Sequence, residues 1–413
     1  MFKKVVIFVL LTTTFGAAET SRYRLMWRDD PSTTMVIGWD QQGGSRAEVF
    51  YDTLDHGQDL AFYRFHREPD ETYLYKGMVN SFVRLTDLKP NTAYYFVIRD
   101  SDGKSPRFWF RTAPDSLHPF TYIAGGDSRN NRDARKRANA MVAKLRPLFI
   151  GFGGDFTDAD IDGQWKAWFD DWQETISPDG RMYPILVTKG NHERTNEVLV
   201  HLFDFPHENI YGAFSFGGNL LRYYILNTDI PRGGEQAAWL ERDLVSHGNT
   251  IYRVVQYHKP IRPHVARKRD QESQYRIWAP LFYHYQVQLA VQCDSHCAVR
   301  TWPIRPTRAP GNDEGFVRDE MGTVYVGEGC WGAPLRDPDD PKSWTRDVGK
   351  FNQFKWIHVY PDRMELRSIK VDDVDDSGSV TEDDLMAVPE DLPIWDPSNG
   401  AVVILPARQM LTE

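Results

Sequence analysis

Tyr183-Pro184-Ile185-Leu186-Val187-Thr188-Lys189-Gly190-Asn191-His192-Glu193 joins a β-like apolar run to a glycine and three residues suited to metal chemistry. The same grammar recurs four times. Phe120 to Ala124 precedes Gly126-Asp127, Leu148 to Phe152 precedes Gly154-Asp155, Ile251 to Tyr257 precedes His258, and Val287 to Val291 precedes Asp294-Ser295-His296. Ligands of an open α/β sheet gather beyond the carboxyl ends of its strands. Five such ends therefore predict one crevice that collects oxygen and imidazole donors around metal.

Between these runs the pattern turns helical. Asp133 to Leu145 carries Ala138, Val142 and Leu145 on one face with its basic residues on the other, and Gln164–Thr175 and Glu235–Ser246 read as further helices. Asn219 to Asn227 and a hairpin from Phe354 to Ile369, turning at Pro361-Asp362, add antiparallel strands. The expected architecture is α/β, with two sheets flanked by helices.

The preceding hundred residues are different. Tyr23–Trp27, Thr34–Trp39, Ala47–Tyr51, Thr72–Lys76, Ser81–Leu85, Thr92–Arg99 and Arg107–Arg111 are short strand-like runs at the spacing of an all-β sandwich. Leu88-Lys89-Pro90-Asn91-Thr92-Ala93-Tyr94 fits the phrase L-x-P-x-T-x-Y of fibronectin type III domains, in which the tyrosine hydroxyl locks a corner. With Asp30-Pro31 and the exit Phe110 to Pro114, this half resembles the amino-terminal domain of purple acid phosphatases.

The five strand ends resemble the motifs of the calcineurin-like metallophosphoesterases of the same purple acid phosphatase type: D-x-G, G-D-x-x-Y, G-N-H-E, V-x-x-H and G-H-x-H. Here they read Asp127-Ser128-Arg129, Gly154-Asp155-Phe156-Thr157-Asp158, Gly190 to Glu193, Val255 to His258, and Cys293-Asp294-Ser295-His296. The implied fold is the two-sheet αββα metallophosphoesterase sandwich. The resemblance divides the chain into a leader at 1–18, the fibronectin-like domain at 19–115, the metallophosphoesterase domain at 119–370 and a tail at 371–413 that packs on it.

The resemblance also implies roles. Asp155 bridges two metals, with Asp127 and His296 on the first and Asn191, His258 and Asp294 on the second, while His192 stands over the leaving group as acid. One or two divalent ions are expected, from manganese, magnesium, zinc, iron or calcium. The relatives' tyrosine is replaced by Asp158, and the histidine that other members use is replaced by Arg129. A guanidinium cannot ligate, so the first half is short of a donor unless Asp158 swings in. Arg129 can instead pair with Asp158 or clamp the substrate phosphate. Asp294 stands where a histidine is usual, which makes the second half richer in oxygen and favours hard ions. His264 is a further candidate for the substrate phosphate.

Length and composition bound the function. A chain of 413 residues has room for two domains, and a net charge of −9 leaves no basic footprint for nucleic acid. Lys3-Lys4, the apolar run Val5 to Leu11 and Gly16-Ala17-Ala18 form a secretory leader, so a secreted or periplasmic protein is expected. No later run is long enough to span a membrane. In that oxidising setting two of Cys293, Cys297 and Cys330 can pair. Asp373-Val374-Asp375-Asp376-Ser377-Gly378 fits the start of a calcium loop, but its flanks favour a solvated acidic turn. The leading reading is a metal-dependent hydrolase of small phosphomonoesters that uses in-line attack by a metal-bound hydroxide. The alternatives are a phosphodiesterase or pyrophosphatase of the same fold and a catalytically impaired binding protein.

Overall fold

The computed structural model describes residues 16–372, 374 and 377–408. The first half is a sandwich of two antiparallel sheets. One orders Thr20–Met26, Met35–Gln41, Met78–Leu85 and Glu71–Tyr75; the other is built around Glu48–Asp52, Ala93–Arg99 and Phe108–Arg111. All seven strands read from the sequence are present. Tyr94 Oη accepts the Lys89 N–H at 2.9 Å, which is the expected corner. Residues 1–15 of the expected leader lie outside the described residues, and Gly16–Ala17 pairs in parallel with Gly103–Lys104.

Two larger sheets follow. The first orders Ile185–Val187, Ile150–Phe152, Phe120–Gly125, Gln353–Val359, Arg363–Lys370 and Val402–Pro406. Its three strands that precede motifs run parallel, and the hairpin adds to them antiparallel. The tail is therefore part of the sheet, since Val402–Pro406 pairs along Arg363–Lys370 as its edge strand. The second sheet orders Gly212–Phe216, Leu221–Ile225, Tyr252–Gln256, Leu289–Val291, Val324–Gly327, Ala298–Thr301 and Thr345–Gly349.

Strand alternation explains the layering. Tyr223, Val254, Leu289, Val291, Val324 and Val326 of the second sheet join the core shared with the first. Their neighbours Tyr224, Val255, Ala290 and Tyr325 face the other way, onto Leu240, Leu244, Trp278 and Phe282 of the helices Glu235–Ser246 and Glu272–His284. Side chains that alternate sides at every residue can serve two layers at once, so these strands read as continuous apolar runs. Glu272–His284 carries no clear helical signal in the sequence, because Pro280 sits inside it. The helices Arg132–Leu145 and Asp162–Trp172 contribute their apolar faces to the core of the first sheet.

Trp165, Trp168, Phe169 and Trp172 recur at helical spacing along one buried face of Asp162–Trp172. Trp168 Nε1 also donates to Ser128 Oγ at 3.0 Å, and Ser128 Oγ donates to the Phe156 carbonyl at 3.0 Å. Loss of Trp168 would cost about 3–5 kcal/mol of packing and release the turns that carry Asp127 and Asp155.

The two domains share one core, in which Trp27 meets Phe149 and Phe216. Arg24 is fully buried at their junction, donates to the Leu202 carbonyl at 2.7 Å and lies 4.5 Å from the Phe169 ring centroid. The acidic turn that begins like a calcium loop lies partly outside the described residues. Of the rest of it, the Val374 and Ser377 carbonyls accept from Lys144 Nζ at 2.9 and 3.1 Å, so an ammonium already sits against this turn.

Candidate metal centre

Both sheets send their carboxyl-terminal turns to one place. Asp127, Asp155, Asp294 and His296 take φ of 59°, 54°, 69° and 59°, a left-handed conformation that few residues other than glycine adopt and that turns these side chains off their strands. Two glycines let the turns close. A Cβ on Gly154 would lie 2.3 Å from the Gly190 nitrogen, and one on Gly329 would lie 1.9 Å from Asp127 Oδ2.

Two of the donor triads share Asp155. The ligand atoms of Asp127, Asp155 and His296 lie within 4.8 Å of one another, as do those of Asp155, His258 and Asp294. His296 Nδ1 donates to the Pro334 carbonyl at 2.9 Å and His258 Nδ1 to the Gly153 carbonyl at 2.8 Å. A carbonyl only accepts, so Nδ1 carries a proton on both rings and Nε2 is the atom turned inward, free to ligate once its own proton leaves, the arrangement used to orient metal-binding imidazoles. His258 Nε2 then faces Asn191 Oδ1 at 3.2 Å, Asp155 Oδ1 at 3.2 Å and Asp294 Oδ1 at 3.7 Å. His296 Nε2 lies 3.4 Å from Asp127 Oδ1, a fully buried oxygen with no hydrogen-bond partner.

Converging acceptors around an orphaned carboxylate oxygen are what a cation requires, so the donor set fits one or two divalent ions. Burial works against charge on His258, yet the carboxylates, Asp155 foremost, hold its protonation well above the usual imidazole range. Burial likewise opposes ionisation of Asp155, and the His258 and His192 imidazoles outweigh it and pull that carboxyl down.

Glu193 does not reach the crevice. Its carboxylate accepts the N–H groups of Gly190 at 2.8 Å, Asp155 at 3.0 Å and Phe156 at 2.9 Å, fastening the second and third motifs together. Burial and the neighbouring Asp155 push its carboxyl up to about 8, and the His258 imidazole with the N–H groups of Asp155 and Gly190 opposes that. A divalent ion nearby would further favour the charged form. His192 Nδ1 donates to the Asp158 carbonyl at 2.5 Å, which leaves Nε2 3.7 Å from Asp155 Oδ2 on a partly exposed ring.

Arg129 and Asp158 form an ion pair, one of the alternatives the sequence left open, and the Arg129 N–H donates to the Asp155 carbonyl at 3.2 Å, so a paired guanidinium is borne on the turn next to the first triad. The second half holds a surprise. Lys268 Nζ donates to Asp294 Oδ1 at 2.5 Å and Arg336 Nη1 to the Asp294 carbonyl at 2.7 Å. The extra negative charge expected from Asp294 is thus met by an ammonium. Nothing in the sequence signals Lys268, which lies in the run Arg267-Lys268-Arg269 and reaches the centre only through the fold.

Two expectations need correcting. His264 does not face a substrate: it is buried, its Nδ1 lies 3.0 Å from Glu328 Oε1 and its Nε2 2.9 Å from Thr345 Oγ1, so both ring nitrogens are engaged. Cys293, Cys297 and Cys330 are all buried free thiols, so the pairing that the sequence allowed is not formed. Burial pushes all three thiols up. Cys293 nevertheless lies among possible donors, with Asp127 and His258.

Comparison with known proteins identifies the two domains. Residues 20–112 match the purple acid phosphatase N-terminal domain, and residues 117–298 match the calcineurin-like phosphoesterase domain. A probable purple acid phosphatase of Arabidopsis thaliana is 24% identical over 341 residues, covering 76% of each chain. An uncharacterized protein of Mycobacterium tuberculosis is 24% identical over 374 residues, covering 75% of this chain and 69% of its own. Among solved structures, a purple acid phosphatase from yellow lupin (Lupinus luteus) seeds aligns with a TM-score of 0.71 at 15% identity, over 90% of this chain and 76% of that one. PhoD aligns at 0.65 and 12% identity, over 95% and 94%; at such identities both establish the fold alone. With the two domain families following one another in this order along the chain, the protein belongs to the calcineurin-like metallophosphoesterases of the purple acid phosphatase type and is a phosphoester hydrolase.

Proposed function

We propose that the chain is an exported, metal-dependent phosphatase that hydrolyses small phosphomonoesters. The observation that carries this reading is the pair of donor triads that share Asp155. Two divalent ions, when bound, supply a hydroxide nucleophile at neutral pH and neutralise charge on the phosphoryl oxygens. On this reading Asp127, Asp155 and His296 hold one ion, and Asp155, Asn191, His258 and Asp294 the other. His192, steadied by the Asp158 carbonyl, protonates the leaving oxygen from Nε2. Arg129 lies beside the first triad and Asp158 holds its guanidinium, a position from which it can also meet the phosphate. The oxygen-rich second set favours magnesium, manganese or calcium over zinc or iron. Export rests on the leader Met1 to Ala18.

The test is turnover of a chromogenic phosphomonoester and a phosphodiester by metal-loaded protein, with His192→Ala beside the wild type. The monoester should be the faster substrate, and His192→Ala should keep its metal while losing roughly 10²–10⁴ in kcat. Faster diester turnover would make the chain a phosphodiesterase. A second reading, a binding protein with an impaired centre, draws on the Arg129–Asp158 and Lys268–Asp294 pairs. Absence of turnover in fully loaded protein would favour it.

A further inference from the structure

Asp127, Asp155, His258, Asp294 and His296 are buried, whereas Asn191 lies on an exposed turn. Its place needs an anchor. Asn191 Oδ1 faces His258 Nε2 across the crevice at 3.2 Å, and Glu193 fastens the Gly190 N–H only to the Asp155 turn of the same sheet. The link to the other sheet comes from Lys189. This residue follows the strand Ile185–Val187, is buried, and its ammonium donates to Asp229 Oδ2 at 2.9 Å and to the Gly190 carbonyl at 3.1 Å. Asp229 stands in the turn after the strand Leu221–Ile225 of the second sheet. Its other oxygen, Oδ1, takes the ammonium of Lys259, the residue after His258. One carboxylate thus joins the turn of Asn191 to that of His258.

Asp229 is itself fixed. Its N–H donates to Asn227 Oδ1 at 2.8 Å, the Asn227 N–H to Gln236 Oε1 at 2.7 Å and Asn227 Nδ2 to the Asn209 carbonyl at 2.8 Å. Gln236 lies on the helix Glu235–Ser246, so the carboxylate is braced against the outer layer of the second sheet. Burial opposes ionisation of Asp229, and the Lys189 and Lys259 ammoniums outweigh it and pull the carboxyl down. A buried ammonium costs solvation, and an apolar residue of similar length would fill the place of Lys189 without that cost. Stability alone therefore does not ask for a lysine here.

We infer that Lys189, gripped by Asp229, is a positioning residue that keeps Asn191 on the ion of the second half. This rests on the reading of the centre as the metal site of a phosphatase. Lys189 donates no lone pair to metal; it acts through the Gly190 turn, as outer partners do when they orient a ligand. Its charge works the other way, because an ammonium beside the centre repels a divalent ion. Position and charge therefore predict opposite results when the ammonium is removed.

The experiment is stepwise equilibrium dialysis of metal-free protein against manganese(II), with Lys189→Met beside the wild type. Methionine keeps the apolar stem and leaves Asp229 paired with Lys259, so no buried charge is stranded. The tight equivalent should weaken about tenfold, the low end for loss of a residue that orients a ligand, while the weak equivalent is unchanged. Asn191→Ala should lose at least as much, and Lys189→Met should add nothing on top of it, because both losses run through one ligand. Asp229→Asn, which leaves both ammoniums uncompensated, should weaken the tight equivalent further still. Unchanged or tighter binding in Lys189→Met, or losses that add to those of Asn191→Ala, overturns the inference. The readout is metal and not turnover, so an inactive protein with the expected pattern sinks the phosphatase reading alone. An active one with additive losses sinks this inference alone, and a wild type with no tight equivalent sinks both.

Discussion

The two halves of the centre share Asp155 and each carries a cation, but the cations are held differently. In the first half Arg129 is paired with Asp158, which belongs to neither donor triad. An ion that binds Asp127, Asp155 and His296 gains nothing by breaking that pair and must sit beside a fixed guanidinium. In the second half Lys268 is paired with Asp294, itself a donor. An incoming divalent ion competes for that carboxylate and displaces a flexible monovalent ammonium. Four candidate donors with a displaceable cation should bind more tightly than three donors with a permanent one. A cation near a metal site thus matters less than whose carboxylate holds it.

The shared residue offers the largest break. Asp155→Asn should lower hydrolysis by on the order of 10³-fold or more and empty both halves, because each loses its common donor; retained activity would remove Asp155 from the bridge. The halves separate next. His258→Ala should cost the tightly bound ion and reduce turnover by about 10²-fold or more, whereas His296→Ala should leave the tight ion in place and cost about tenfold. Elemental analysis of both variants would read this directly, and equal losses would erase the distinction.

Arg129→His sharpens the comparison from the other side. It exchanges a fixed cation for a donor, so the weaker half should approach the stronger and activity should rise if catalysis uses both ions. The smallest effect belongs to Lys268→Met. Removing a partly exposed ammonium from Asp294 should tighten the second half by only about threefold, as expected for such a pair. A much larger gain would mean that the ammonium fills the metal position outright.

The difference between the halves also marks what the sequence could reveal. Arg129, Asp158 and Asp294 stand at motif positions beside strand ends, so their departures were readable, as was the Arg129–Asp158 pair. Lys268 reaches Asp294 across 26 residues by a fold-dependent approach that no local spacing encodes. His264 misled for the same reason: nearness in sequence to His258 suggested the crevice, while a buried carboxylate at Glu328 drew its ring the other way. Strand-rich stretches with Tyr94 at a corner were legible because alternation and turn chemistry are local. The helix Glu272–His284 hid behind Pro280, and the edge strand Val402–Pro406 followed a polar, proline-bearing stretch that reads as a loose tail. The three thiols were countable, but their pairing state depended on a buried setting.

Stepwise titration of metal-free protein with manganese(II) by equilibrium dialysis, followed by elemental analysis, tests the asymmetry most directly. One equivalent should bind tightly and the second at least about tenfold more weakly, as a fixed positive charge beside three donors requires. Two equivalents that bind with the same midpoint would contradict the account and place the Arg129 guanidinium outside the reach of the first ion.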